Sequence, residues 1–464
     1  MKKIISSVEV LSQSEIEQIH ETAVRVLSEI GASVPNTRVL ELCKKNGAII
    51  DKNSMTMKIP RDVIDSLINE TKKQNFVNYD QSTDGVSEMS AEISTQIFLY
   101  DYKTQTRRNG LKDDIMKGIA LLNKLESFKH ANAVVLPSDV PHAIADIYTF
   151  YLLLSYSAKE GITYVLSADS APYIIDMLKL MGRPCNYFLE TVSPLGFRKE
   201  SLDIALVFAE KGGTLSPGPM VMAGATGPMS IAGTMVQSTA EILLSLFVNH
   251  ALTGKLGKLF CNSCHTMDPK TMLCSFGSPN QALFAVASAQ MGRFYGLIPS
   301  SNSGLSDALM PDFQCGMEKA SSMLIAMLSG CASVGCMGIA GADQGISFEQ
   351  IVIDNEMFRI LNYIMRGFEV TDYSLGFEAI QEAGIGGNFL GLESTVDFLR
   401  SDYIQSGIFL REAFSPTPQR ELLDRAADYV ERVTAGYREM TPISAQKHEE
   451  LSRILSEAEK RLVN

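Results

Sequence analysis

Tryptophan is absent from this 464-residue chain, and basic charge is in the minority: 41 Lys and Arg against 53 Asp and Glu leave a formal net charge of −12. That balance lacks the basic stripe that holds phosphate backbones, which excludes a nucleic-acid function. A mild negative field suits small cations instead. Long apolar runs are missing too. Met1-Lys2-Lys3-Ile4-Ile5 gives way at once to Ser6, Ser7 and Glu9, so no secretory h-region forms. Residues 212–240 are broken by Pro217, Pro219 and Pro228, and residues 320–342 by Gly330, Gly335, Gly338 and Gly341. Neither reads as a membrane span of about 20 apolar residues. A cytoplasmic protein is expected.

Cysteine is too sparse, at eight residues without an export signal, for a disulfide framework. Cys261-Asn262-Ser263-Cys264-His265 matches the C-x-x-C-H spacing of haem attachment, yet it follows Lys258-Leu259-Phe260, which reads as a buried strand. Zinc would need further ligands, and Cys274 does not complete the paired spacing of a ribbon or finger. The thiols read as ordinary buried side chains. Phosphate-binding glycine signatures are also missing: no G-x-G-x-x-G follows an early strand and no G-x-x-x-x-G-K-[ST] occurs.

What is present is 45% hydrophobic and 20% charged residues, the make-up of a folded globular chain. The 22 methionines point to adaptable apolar packing. Ser12-Gln13-Ser14-Glu15 resembles a capping box, with Ile16, Ile19, Ala23, Val26 and Leu27 following at helical spacing. Helices are also expected at 36–45 and 61–71, then a β-rich run at 97–102. From residue 111 strand and helix alternate. Strands are expected at 131–136, 162–166, 186–190, 219–223, 258–262, 297–301, 333–339 and 375–380, each followed by a helix. Their apolar character on both faces fits a parallel sheet buried on both sides. Eight units in one run predict an α/β fold: a (β/α)8 TIM-type barrel at 111–405. The N-terminal helical and β-rich region (1–110) and a C-terminal helical extension (406–464) are expected to pack on it. Beyond Pro416 and Pro418 the tail reads as charged helices at 419–434 and 444–462.

Barrel chemistry sits at the carboxyl ends of strands and in the loops after them. Those segments here are rich in Gly, Ser, Thr and Asn and carry no H-E-x-x-H, G-x-S-x-G or S-x-x-K signature. The site therefore reads as one that positions a substrate while the reactive group comes from elsewhere.

Several motifs carry a family resemblance. The run from Pro219 to Pro228 (PMVMAGATGP), Asp268-Pro269-Lys270-Thr271, Phe276-Gly277-Ser278-Pro279, Asp312-Phe313-Gln314-Cys315-Gly316-Met317-Glu318-Lys319-Ala320 and Gly387-Asn388-Phe389-Leu390-Gly391 resemble the trimethylamine methyltransferase family along nearly the whole chain. The resemblance implies a TIM-type barrel that moves a methyl group from an amine to the cobalt of a separate corrinoid protein. No Asp-x-His-x-x-Gly corrinoid signature occurs among the six histidines, so the chain itself is expected to bind no cofactor and no metal. Trimethylamine enzymes of this family carry pyrrolysine in the loop corresponding to residues 300–312. Here ordinary residues fill it, with Leu305 at the corresponding position, which resembles the members acting on betaines and carnitine-like quaternary amines. A quaternary nitrogen leaves as a neutral amine and needs no general acid, so alignment and field are what the protein contributes.

A quaternary ammonium has no N–H to donate, so aromatic faces and negative potential should recognise it. Candidates are Tyr100, Tyr102 and Phe348 for aromatic contact, and Glu190, Asp307 and Asp343 for charge. Asn262, His265 and Asn302 are candidates for a substrate carboxylate. Leu305 is expected to line the cavity beside the transferred methyl. The expected partners are the corrinoid protein, a small quaternary amine and possible further copies of the chain. A zinc-dependent methyltransferase, another barrel enzyme and a non-catalytic quaternary-amine binding protein remain open.

Overall fold

The computed structural model describes residues 8–74, 90–413 and 420–463; the leader residues 1–5 and the Pro416, Pro418 and Gln419 positions considered above lie outside them. Local capping sets the first elements. Ser12 and Glu15 exchange bonds, the Ser12 amide donating to Glu15 Oε2 at 2.7 Å, and start α1 (Gln13–Arg25). Asn36 Oδ1 accepts from the Val39 amide at 3.0 Å and starts α2 (Thr37–Lys45). Strands β1 (Ala32–Ser33), β2 (Ile49–Asp51) and β3 (Thr56–Lys58) form a small antiparallel sheet before α3 (Arg61–Gln74).

The rest alternates as expected in class, with shifted strands. It begins with β4 (Ser90–Ala91), a hairpin β5 (Phe98–Asp101) and β6 (Thr106–Asn109), then α4 (Lys112–Lys124), α5 (Ala145–Tyr156) and α6 (Ala171–Leu180). β7 (Asn186–Glu190), α7 (Lys199–Glu210), β8 (Thr214–Gly218), β9 (Met222–Ala223) and α8 (Ile231–Thr253) follow. β10 (Leu259–Asn262), β11 (His265–Met267), β12 (Cys274–Ser275), α9 (Asn280–Tyr295), β13 (Ile298–Ser301), α10 (Phe313–Ser329), β14 (Ser333–Val334) and α11 (Phe348–Arg366) complete the alternation. The protein is α/β.

Parallel neighbours run in one direction around the chain. β14 pairs with β4, residues 91 and 96 bridge to 128 and 135, and 130 bridges to 160. Ala133 donates to the Ile162 carbonyl at 3.1 Å. β7 pairs with β8, His265 donates to the Val221 carbonyl at 3.1 Å, β10 pairs with β13, and β13 with β14. The expected strands at 131–136 and 162–166 are extended chain held by such single bridges. The approach is close: a Cβ on Gly161 would lie 2.2 Å from the Ala131 carbonyl oxygen, so only glycine fits there.

One expected strand is overturned. Residues 375–380 belong to short helices α12 (Asp372–Leu375) and α13 (Phe377–Ala383). Thr371 caps the first and Gly376, at φ +68°, turns the chain into the second. The neighbour of β14 is instead β4, on the near side of the boundary expected at residue 110. Burial on both strand faces is also corrected. In β7, Tyr187 and Leu189 enter the core under the helices, while Asn186 and Phe188 on the other face stay exposed.

After α14 (Glu393–Ser401), α15 (Leu422–Val433) places Ala426 and Val430 in the core shared by α4 and α11. α16 (Ala445–Leu462) packs Leu451 and Ala458 on α5 and α6. Among the described residues one helix, α8, is long and apolar enough to cross a membrane; 78% of that window is buried inside the protein.

Candidate active site

The face of β7 that carries Asn186 and Phe188 ends at Glu190, whose carboxyl burial pushes above its usual range, with Arg198 as the one charge opposing the shift. Asp343 follows β14 in a tight loop. Desolvation pushes its carboxyl up to about 6, against one bond from Gln96 Nε2 at 2.9 Å. Tyr164 lies on the segment after Gly161 and is 43% exposed. Its phenol is raised by desolvation first and then by the fields of Glu190, Asp343 and Cys336, which therefore lie within electrostatic reach of it. Neither carboxyl has an ion-pair partner within 4 Å among the described residues.

The loop after β14 is strained at this point. Cys336, Ala342 and Asp343 hold φ of +65°, +55° and +59°, a region that non-glycine residues enter at a cost. The Cys336 thiol, pushed up to about 12 by burial, donates to Asn302 Oδ1 and touches Ser94 Oγ at 3.5 Å. Asn302 Nδ2 in turn meets His265 Nε2 at 3.1 Å. Burial holds the imidazole down at about 3, so His265 is neutral. With Asn302 donating to Nε2, the proton sits on Nδ1, which is buried and without a hydrogen-bond partner. Phe276 covers the ring at a centroid distance of 4.4 Å.

Asn302 therefore joins His265 to Cys336, Asp343 lies within electrostatic reach of that thiol, and Glu190 is connected to the group through Tyr164. Asp307 lies at their edge as a brace: it accepts from Ser275 Oγ at 2.7 Å and the Phe276 amide at 2.8 Å. Leu305 does not line an open cavity. It is 0% exposed, packed with Phe276, Cys336 and Ile339 beneath the loop. The loop is held from below: buried Lys319 donates to the Gly304 carbonyl at 2.7 Å and to Asp354 at 2.9 Å, and Asp354 also accepts from the Gly338 amide at 2.7 Å. Glu318 takes Ser306 Oγ and the Asp307 amide.

Four candidates lie elsewhere. Asn262 is buried with its amide spent on Ser238, Ser288 and the Cys264 amide, so it cannot greet a ligand. Phe348 is core, its ring facing Lys117 Nζ at 5.2 Å. Tyr100 and Tyr102 pack edge to face at 4.7 Å on the hairpin. Tyr102 is buried toward Cys315, Asp354 and Glu349 at the starts of α10 and α11. Sequence reasoning missed Tyr164, Gln96 and Cys336; alternation along 162–166 carries the signal for Tyr164. A hollow of about 730 Å³ lined by Lys73, Thr214, His250, Lys255 and Lys258 contains none of these groups. All eight cysteines are free, and among the described residues no three His, Cys, Asp or Glu gather as a metal site.

Carboxyls without ion-pair partners among the described residues, with an aromatic ring in electrostatic reach, are the candidate small-molecule site of this α/β scaffold. The family model for trimethylamine methyltransferase (MTTB) matches residues 1–461, and the chain belongs to that family. It is 26% identical to the trimethylamine methyltransferase MttB of Methanosarcina barkeri (strain Fusaro / DSM 804), covering 96% of this chain and 94% of that one. It is 26% identical to the proline betaine:corrinoid methyltransferase of Eubacterium limosum (97% and 98% covered). Identity to the glycine betaine methyltransferase of Desulfitobacterium hafniense (strain Y51) is 24% (92% and 89% covered). The solved monomethylamine methyltransferase of M. barkeri is similar at a TM-score of 0.44 with 11% identity, over 98% of this chain and 95% of that one.

Proposed function

We propose that this chain is a methyltransferase that moves a methyl group from a quaternary amine of betaine or carnitine type to the Co(I) corrinoid of a separate protein. One observation carries the reading: Glu190 and Asp343 are desolvated, both act on the Tyr164 phenol, and neither has an ion-pair partner within 4 Å among the described residues. A quaternary ammonium supplies the missing charge without N–H donors, and an aromatic face beside carboxylates is its natural seat. Identity does not separate substrates, since the trimethylamine and betaine relatives are equally distant. The make-up of residues 301–307 supports a quaternary amine, since no electrophilic side chain is there to activate a tertiary one.

The acceptor's reduced cobalt is the nucleophile, supplied from outside the chain. The residues here orient the cation. As the C–N bond breaks, its electron pair stays on nitrogen and the amine leaves neutral, so no proton is moved. The loss of positive charge also weakens its hold on Glu190 and Asp343, which aids release. The unpartnered Nδ1–H of His265 is the donor we assign to a substrate carboxylate. We further propose that the parallel neighbours close into a (β/α)8 barrel running from Ser90 to Arg366. The N-terminal helices and α15–α16 would then pack around it.

The test mixes the protein, a reduced corrinoid protein and single candidate amines, and follows loss of the Co(I) absorbance. Turnover of at least one quaternary amine, with trimethylamine inert, supports the reading. Binding of a betaine without methyl transfer would instead favour a binding protein.

A further inference from the structure

We propose that residues 367–402 form an arm that seats on a second copy of this chain. The excursion leaves the body at the end of α11 and returns beside the same point. There Arg366 Nη2 donates to the Ser401 carbonyl at 2.6 Å, and the Tyr363 hydroxyl donates to the Asp402 carbonyl. Between these ties lie α12, α13 and α14, and none of the three has a buried residue. The arm is organised within itself: Tyr373 stacks on Phe398 at 5.4 Å and its hydroxyl bonds Asp397 at 2.9 Å. Yet Phe368, Leu375, Phe377, Ile385, Leu390 and Leu399 all stand exposed, Leu390 at 86%.

With Val370, Tyr373, Ile380, Phe389 and Val396 these make eleven exposed large side chains; at on the order of 100 Å² each still to bury, the arm presents roughly 1,000 Å² of apolar surface. Monomers rarely leave more than about 600 Å² of apolar surface in one patch, and a stable interface needs about 800 Å² per partner. The arm meets the size of a permanent contact. A corrinoid protein that delivers and collects methyl groups must come and go, leaving the arm bare between visits. A copy of the same chain is present at equal concentration at all times. Charge sets the geometry: the arm carries seven acidic residues, Glu369, Asp372, Glu378, Glu382, Glu393, Asp397 and Asp402, against one basic residue, Arg400. Two arms laid face to face would repel, so each arm lies on the body of the other copy, and a twofold arrangement buries both.

Sedimentation velocity of the full chain at micromolar concentration tests this against the double variant Phe377→Arg/Leu390→Arg, whose altered side chains support no core. The wild type should sediment at twice the chain mass and the variant at the chain mass, with unchanged circular dichroism. A monomeric wild type, or a variant that stays dimeric, overturns the proposal. Should the variant precipitate, hydrogen exchange of wild-type residues 372–401 decides. Protection that vanishes on dilution into monomer supports the arm as the interface, and fast exchange in a confirmed dimer refutes it. Protection that appears in a monomeric chain only after a corrinoid protein is added assigns the arm to that partner and refutes the second copy.

Discussion

Lys319 and Asp354 are both 0% exposed and 2.9 Å apart, which makes Lys319→Met the sharpest perturbation of the loop that carries Asn302 and Leu305. The lysine ties the Gly304 carbonyl to a carboxylate that also holds the Gly338 amide and accepts from Gln350 Nε2 at 2.8 Å. Methionine fills the same volume but leaves Asp354 charged in a dry site. Removing one partner of a buried pair costs about 3–5 kcal/mol. Asp354→Asn should cost about as much, since it strands the ammonium. The double variant removes both charges and keeps an acceptor for Gly338. It should therefore lose at least about 1.5 kcal/mol less than the two singles together. Urea unfolding of the four proteins measures the cycle. A Lys319→Met variant within about 1 kcal/mol of wild type, or a strictly additive double, would refute the clamp. The same variant should raise KM for the amine, because the 302–307 loop loses its anchor.

Asp343 gives a pH signature: with its carboxyl at about 6, kcat/KM for a quaternary amine should fall as pH drops through that value. Asp343→Asn, which keeps the left-handed backbone at low cost, should flatten the profile. Because this acid is raised above its unfolded value of about 4, it favours the fold at low pH and gives that up as pH rises through 6; a stability–pH series of wild type against Asp343→Asn checks the sign. Tyr164→Leu should weaken cation binding by about 0.5–2 kcal/mol, several- to thirtyfold in KM, with little change in melting temperature. Unchanged KM would remove Tyr164 from the site. Leu305→Ala should lower stability by about 2–5 kcal/mol through the cavity it leaves; a variant as stable as wild type with altered substrate choice would return Leu305 to a contact role.

Helices were legible because caps and periodicity are local: Ser12 and Asn36 start theirs as the sequence says. The strand at 186–190 is found residue for residue, but Ser90–Ala91 is too short to show a period, and its pairing with 333–334 is a tertiary fact. Residues 375–380 look β-rich by composition, yet Gly376 and the Thr371 cap decide locally for helix. For the candidate site, reading strand ends and the loops after them proposed Glu190 and Asp343, both of which burial pushes above the usual carboxyl range. Parity explains the misses. Asn262 shares the outward parity of Phe260 in β10, whereas Cys261 lies on the other. Tyr164 sits inside its strand segment rather than after it, where that rule does not look.

Helix α8 has the hydropathy of a membrane span and is hidden by its neighbours, and that has a consequence for how the chain is made. Its cover comes from both directions of the sequence: Ile16, Ala23, Val39 and Leu40 from α1 and α2, and Phe284 and Met291 from α9, lie in the core it joins. On the ribosome the first set already exists when α8 emerges, while the second does not. The expected consequence is that the N-terminal helices cover α8 as it emerges, before its apolar length can be taken for a membrane span. Chains started after residue 45 should be synthesised in full and then be lost to aggregation or to the membrane fraction, even though every strand from β2 onward remains encoded.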